Sequence, residues 1–129
     1  MNTFTAHTQR QQGKIGVTLR GNCTDITAAE LLEKAVADAT TYGLAVIWID
    51  CQRLNTITWQ GQRAILNANQ RARAAGVSPR WCGIPTPILE QFAVSGLGLL
   101  LSLEPASSYQ GPPELLLDYL SPSTRIRLV

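Results

Sequence analysis

The chain has 129 residues and a mass of 14.0 kDa, which predicts a single domain. Its residues are 45% hydrophobic and 16% charged, a composition too apolar for a disordered chain and typical of a globular one. The formal net charge of +2 is too small to indicate nucleic-acid binding through bulk charge.

The three cysteines, Cys23, Cys51 and Cys82, are an odd and widely spaced set, which is a poor framework for disulfides. The single histidine, His7, lies far from them in the sequence and no Cys-x-x-Cys pair occurs, so no zinc site is predicted. The glycine-containing stretch 95–98 lacks the Lys-Ser/Thr of a phosphate-binding loop. We therefore expect free, buried thiols in a reducing compartment and no cofactor.

The amino terminus lacks the apolar stretch of a signal peptide. The longest apolar run, residues 97–103, is far shorter than the roughly 20 residues that span a bilayer. We expect a cytoplasmic protein without a membrane span.

The first half of the chain predicts a hairpin, a helix and a buried strand. Residues 3–10 alternate weakly between apolar and polar, as in an edge strand, and residues 14–20 alternate clearly. A capping box that begins at Thr27 predicts the start of a helix that ends at Gly43. The apolar run that follows predicts a central strand ending at Asp50, with a loop over residues 51–58.

The second half predicts two more helices. Thr58 is expected to cap a helix that ends at about Ala75, ahead of Gly76. Pro87 opens the next helix and Gly96 closes it. The inward side chains of this helix are expected to be Ile88, Leu89, Phe92 and Ala93.

Short elements complete the predicted order β-β-α-β-α-β-α-β-α, which indicates an α/β fold with a mostly parallel mixed sheet and an N-terminal hairpin. Strands are expected over 80–83 and 99–101. Residues 1–103 form the predicted core, and residues 104–129 belong to the same domain. They are expected to form a linker (104–113), a short amphipathic helix (114–120) and a tail (125–129) that either pairs with a strand edge, in cis or in a second copy, or is disordered.

The residues around the third strand and the next helix resemble the STAS domain family, which includes the bacterial anti-sigma factor antagonists. The resemblance covers about residues 10–103. It rests on Leu19-Arg20-Gly21, Ile49-Asp50, Leu54, Ile57, Gly61, Ala72 to Gly76, Cys82-Gly83 and Leu89 to Leu97. It implies the STAS fold, with helices mainly on one face of the sheet, and a protein-interaction module rather than an enzyme.

The chain departs from this family at the start of the second helix. Antagonists of the family read Asp-Ser-Ser-Gly there, and a serine is phosphorylated by the anti-sigma kinase. Here the residues are Thr58-Trp59-Gln60-Gly61, so Trp59 stands at the phosphorylated position. An indole cannot receive phosphate, but tryptophan is enriched at binding hot spots. Trp59 is therefore expected either to be exposed for binding or to pack inward.

The stretch from Asn55 to Arg63 is the predicted partner-binding surface. Its residues are Asn55, Thr56, Thr58, Trp59, Gln60 and Arg63. Thr58 and Thr56 are candidate phosphoacceptors, although simple N-capping also explains Thr58. Arg53, Arg63, Arg71 and Arg73 either meet an acidic partner or form a solvated face, with Arg63, Asn67 and Gln70 on an outward strip.

Asp50, at the predicted end of a parallel strand, either contacts a ligand or stabilises the next loop, and no catalytic set accompanies it.

The resemblance implies an anti-sigma factor antagonist-like regulator that binds an anti-sigma factor or kinase-like ATPase. The alternative is an accessory STAS subunit of an ABC-type lipid transport complex, bound to its ATPase. A homodimer is left open.

Overall fold

A computed structural model describes residues 3–117 of the chain. The strands are β1 Phe4–Gln11, β2 Lys14–Cys23, β3 Val46–Ile57, β4 Ser78–Cys82 and β5 Ser102–Glu104. The helices are α1 Ile26–Thr40, α2 Trp59–Ala74 and α3 Thr86–Ser95.

The five strands form one sheet in the order β1-β2-β3-β4-β5. Strand β1 pairs antiparallel with β2, and the remaining neighbours are parallel. The N-terminal hairpin, the edge position of β1 and the mostly parallel mixed sheet are therefore confirmed.

The strands bury one face of the sheet against the helices. Residues two apart in a strand point to the same face, and Ile15, Val17 and Leu19 of β2 are fully buried in the main core. The buried residues of all three helices belong to the same core, among them Leu32 of α1 and Ile65 of α2. The helices thus lie on one face, as the family resemblance implied.

The opposite face is covered by residues 105–117, which we call the cross-sheet segment. It contains two 3-10 turns, Ala106–Ser108 and Pro113–Leu116. Gly16, which alternates with the core residues of β2, faces its side chains. The prediction of an α-helix from residue 114 is therefore wrong within the described residues, where a 3-10 turn replaces it. The rest of that prediction and the predicted tail strand lie outside residues 3–117.

The prediction of a loop over residues 51–58 is wrong, because β3 continues to Ile57. The extension pairs with the end of β2, where Asn22 faces Thr56 and Cys23 faces Ile57. Two register shifts in β2 accompany this pairing. Asp50 consequently lies inside β3 rather than at its end.

Smaller corrections concern helix ends and faces. Helix α1 is capped by Asp25, whose carboxylate accepts the N–H of Ala28 at 2.9 Å, rather than by Thr27. In α3, Leu89 and Ala93 point to solvent, because only one stripe of this ten-residue helix meets the core. The predicted strand over 99–101 is replaced by a 3-10 turn, Leu97–Leu99, ahead of β5.

The three cysteines are free and buried. Within residues 3–117 no helix is long and apolar enough to cross a membrane, and no cluster of side chains there has the makings of a metal site.

Candidate partner-binding surface

The predicted surface begins where β2 and β3 end together. The side-chain oxygen of Asn22 accepts hydrogen bonds from the Thr56 hydroxyl at 2.7 Å and from the Asn55 amide at 3.2 Å. Both Asn55 and Thr56 are exposed. Asn22 therefore holds the two residues in place while their surfaces face solvent.

Thr58 occupies the N-cap position of α2 with an extended backbone. Its hydroxyl does not cap the helix, and instead donates to the side-chain carbonyl of Gln60 at 2.7 Å. The Thr58 N–H donates to the Cys23 carbonyl at 3.1 Å, which ties the helix start to the end of β2. The first turn of α2 therefore carries neither a side-chain cap nor an acidic residue, although both would suit its dipole.

Trp59, the first residue of α2, has 65% of its surface exposed. Of the two alternatives expected for Trp59, exposure and inward packing, the structure shows exposure. Gly61, two residues further, is closely packed: a Cβ atom there would meet the Ile57 side chain and lie 2.6 Å from the Cys23 carbonyl oxygen. The backbone beneath Trp59 is thus fixed while the indole itself is solvated.

A groove runs from this helix start toward the end of α3. It has a volume of about 240 Å³ and lies between Gln62, Arg63 and Leu66 on one side and residues 95–100 on the other. The Ser95 hydroxyl donates to the Gln62 side-chain oxygen at 2.7 Å and bridges the two walls. Positions 59, 62, 63 and 66 share one helical face, so Trp59 lies on the same face of α2 as the groove wall, one turn before Gln62 and Arg63.

Exposed apolar side chains border the groove on the α3 side. Val94, Leu99 and Leu100 are 91%, 92% and 56% exposed. Leu100 lines the groove opposite Arg63, and Val94 and Leu99 are the sequence neighbours of its lining residues Ser95 and Leu100. Exposed apolar residues gathered in this way mark interaction sites in soluble proteins.

The other candidate residues serve different contacts. Asp50 is fully buried and accepts hydrogen bonds from the Thr18 hydroxyl at 2.7 Å and the Gln52 side-chain amide at 3.1 Å. Arg71 pairs with Glu33 of α1 at 3.4 Å, and Asn67 donates to the same carboxylate at 3.3 Å. The proposed outward strip therefore keeps only its exposed members at positions 63 and 70.

The structure adds residues that sequence reasoning missed. Asn22 lies beyond the strand predicted over residues 14–20, and its contact with β3 depends on strand register, which the local pattern does not encode. Ser95 and Leu100 reach the site through tertiary contacts with α2: the Ser95 hydroxyl donates to Gln62, and the Leu100 carbonyl accepts from the Asn69 side-chain amide.

No family model and no curated protein matches the sequence. Solved structures do match the fold. An anti-sigma factor antagonist from Mycobacterium paratuberculosis superposes with a TM-score of 0.62 at 17% identity, over 88% of this chain and 92% of that one. A structure from Thermotoga maritima, named as a candidate anti-sigma factor antagonist, gives 0.62 at 15% identity, over 77% and 85%.

The phosphorylated form of SpoIIAA, a Bacillus cell fate determinant, gives a TM-score of 0.60 at 18% identity, over 82% of this chain and 93% of that one. At these identities the likeness concerns the fold alone. The chain has the STAS fold, which it shares with anti-sigma factor antagonists.

Proposed function

We propose that the chain is a non-enzymatic, cytoplasmic regulator that binds a protein partner in the manner of an anti-sigma factor antagonist. The observation that carries this proposal is the exposed Trp59 at the first residue of α2, above a backbone that Gly61 packs tightly. The STAS fold shared with known antagonists supports it.

The binding surface extends over Asn55, Thr56, Thr58, Trp59, Gln60 and Arg63. Large apolar area and a guanidinium are the features that hot spots favour. The partner is an anti-sigma factor or a related kinase-like ATPase. Because Trp59 replaces a phosphoacceptor, binding does not depend on phosphate at that position.

Thr56 is the better of the two candidate phosphoacceptors. Each hydroxyl donates a hydrogen bond at 2.7 Å, that of Thr56 to Asn22 and that of Thr58 to Gln60, but Thr56 is exposed whereas Thr58 is half-buried. A phosphate on Thr56 would add a charge of about −1.5 to −2 beside the binding surface and oppose an apolar partner. Mass spectrometry of the protein from its native cells tests this assignment, since phosphate on Thr58 alone would contradict it.

Affinity capture from native cells, followed by binding measurements with the captured partner, tests the proposed function. Trp59→Ala is expected to weaken the complex by about 2 kcal/mol or more, roughly thirtyfold. Tyr42→Ala is the matched control, because Tyr42 is an aromatic residue with 48% exposure outside the proposed surface. Trp59→Ala is expected to keep wild-type stability, and Tyr42→Ala to lose at most about 1 kcal/mol, because the Tyr42 ring lies 4.5 Å from the Arg10 guanidinium.

The identity of the captured protein decides between the functions. Recovery of an anti-sigma factor or kinase-like ATPase supports the proposal. Recovery of an ABC ATPase with its permease would replace it with the transporter-subunit alternative. An unchanged complex in both Trp59→Ala and Arg63→Ala would show that the surface is placed wrongly.

A further inference from the structure

The face of the sheet without helices is covered by the cross-sheet segment, residues 105–117. The segment leaves β5 at Pro105, and Ala106 then lies beside Gly83, just after β4. Further along, Gly111 lies against Trp48 of β3, and the segment reaches β2 and β1 near its end. It therefore runs across the sheet from one edge to the other.

Gly16 of β2 is the point where the segment comes closest to the sheet. A Cβ atom at Gly16 would lie 2.6 Å from the Tyr109 hydroxyl oxygen, 2.9 Å from Pro112 Cδ and 3.0 Å from Leu115 Cδ1. These distances are shorter than real Cβ contacts. A bulky side chain at this position is therefore expected to displace the segment, because Pro112 and the ends of the Tyr109 and Leu115 side chains would all have to move.

Gly111 is the corresponding position within the segment. A Cβ atom there would lie 2.6 Å from the Tyr109 hydroxyl oxygen and 2.9 Å from Cβ of Trp48. A side chain at Gly111 would thus prevent docking from the segment's side, as one at Gly16 would from the sheet's side. The chain provides two independent ways to block the same interface.

The docked segment is held by packing and by hydrogen bonds from β1 and β2. Arg20 donates to the Leu115 carbonyl at 2.8 Å, and Gln11 donates to Glu114 at a long 3.5 Å. Within the described residues, Nε2 of His7, on the sheet face beneath, and Oε1 of Glu114 are buried without a hydrogen-bond partner. Buried polar atoms without partners cost free energy, so these two atoms offset part of the stabilisation that packing of the segment provides.

We propose that the cross-sheet segment is exchangeable, so that residues 105–117 of one copy bind the helix-free face of a second copy. Its contacts join the segment to residues of β1, β2 and β3, and an identical segment of another copy makes them equally well. The segment follows a strand of only three residues, so the chain can diverge at Pro105 without breaking the core. Exchange of an identical element is a low-cost route to a dimer.

Two full-length variants with different affinity tags test the exchange. Gly16→Val blocks the sheet face and keeps the segment intact, whereas Gly111→Val blocks the segment and keeps the face intact. Neither can dock its own segment. When they are mixed, the intact segment of the first is expected to bind the intact face of the second, and native mass spectrometry should show a 1:1 heterodimer.

The control replaces Gly16→Val by Gly98→Ala, whose added Cβ has ordinary contacts of 3.7 Å or more. This variant docks its own segment and is expected to give less heterodimer. Absence of a heterodimer from the first mixture, with both variants folded by circular dichroism, would overturn the proposal.

A second measurement does not depend on the folding of either variant. A synthetic peptide with the sequence of residues 105–117 is titrated into the wild-type chain, and the amide resonances of Gly16 and Trp48 are followed by NMR. Saturable shifts at these residues support an exchangeable segment. Absence of shifts at the highest peptide concentration that stays soluble would reject it.

Discussion

The buried pair of Thr18 and Asp50 shows how a polar group in the sheet is satisfied locally. Asp50 has no exposed surface, and it accepts the Thr18 hydroxyl, the Gln52 side-chain amide and the Gln52 N–H. Thr18 and Asp50 are direct neighbours in the β2–β3 register. The carboxylate is thus occupied by structural hydrogen bonds, which supports a stabilising role over contact with a ligand.

Thr18→Val is expected to lower the free energy of unfolding by about 1–3 kcal/mol, because it removes a hydrogen bond to a buried carboxylate while keeping the shape of the side chain. Urea denaturation at neutral pH measures the change. Thr8→Val is the control, since Thr8 is an exposed residue of β1 and surface substitutions stay within about 0.5 kcal/mol. Equal effects of the two substitutions would contradict the assigned role of the pair.

His7 makes the stability of the protein depend on pH. Burial, and then the nearby Arg20, lower the pKa of its imidazole below 6.5. Well above that value both the folded and the unfolded chain hold neutral imidazole, so His7 contributes no pH dependence there. As the pH falls below 6.5, the unfolded chain binds the proton first, and the free energy of unfolding decreases.

His7→Gln is expected to remove this decrease in the free energy of unfolding. No other imidazole contributes to it, because His7 is the single histidine. Chemical denaturation of both proteins between about pH 7.5 and pH 5.5 provides the comparison, above the range in which ordinary carboxylates titrate. Parallel curves for the wild type and the variant would show that His7 is equally protonated in both states.

At the scale of elements, the sequence predicted what local patterns encode. Alternation located the β1–β2 hairpin, and helical spacing together with glycine stops located all three helices. The extension of β3 to Ile57 was missed because Gln52, Arg53 and Asn55 interrupt the apolar pattern. Pairing with β2 stabilises this stretch, and a partner 30 residues away leaves no mark on the local sequence.

The candidate site was predicted in its position but not in its three-dimensional surroundings. Its position at the start of α2 came from local signals and a family resemblance. The groove toward α3 could not be predicted, because the contact between Gln62 and Ser95 depends on how two helices pack. The exposure of Trp59 could not be predicted either, because it depends on how the first turn of α2 is oriented on the sheet.

The start of α1 offers a test between a sequence signal and the observed cap. Asp25→Ala is expected to destabilise the protein by about 1 kcal/mol, because the carboxylate caps the Ala28 N–H. Thr27→Ala is the matched control and is expected to change stability little, since Thr27 is exposed within the helix. Thermal denaturation compares the two. A larger loss for Thr27→Ala would restore the capping box that the sequence suggested.

At the scale of the whole molecule, the two faces of the sheet are covered by different means. The helices bury one face through regular apolar stripes, which contribute most of the core. The cross-sheet segment covers the other with turns and a close approach at Gly16. A face covered in this way depends on a few specific residues, so single glycine substitutions there act on the segment without touching the main core.

The buried thiols report on the cooperativity of this arrangement. Burial, and then nearby acidic groups, raise the pKa of Cys23 to about 11 and that of Cys82 to about 12, and burial places the pKa of Cys51 well above its ordinary value. The thiolate is the reactive form. Thiol reagents at about pH 8 should therefore react with the folded protein only as fast as it opens.

Ellman's reagent is expected to modify all three thiols in denaturant, and to react with Cys23 and Cys51 in the folded chain only as fast as the chain unfolds globally. Cys82 provides the internal comparison, because it alternates with the core residue Trp81 and so faces the helix-free side. If Cys82 reacts faster than Cys23 and Cys51 while circular dichroism stays unchanged, the two faces open separately. A single shared rate would show that the helices and the cross-sheet segment unfold as one unit.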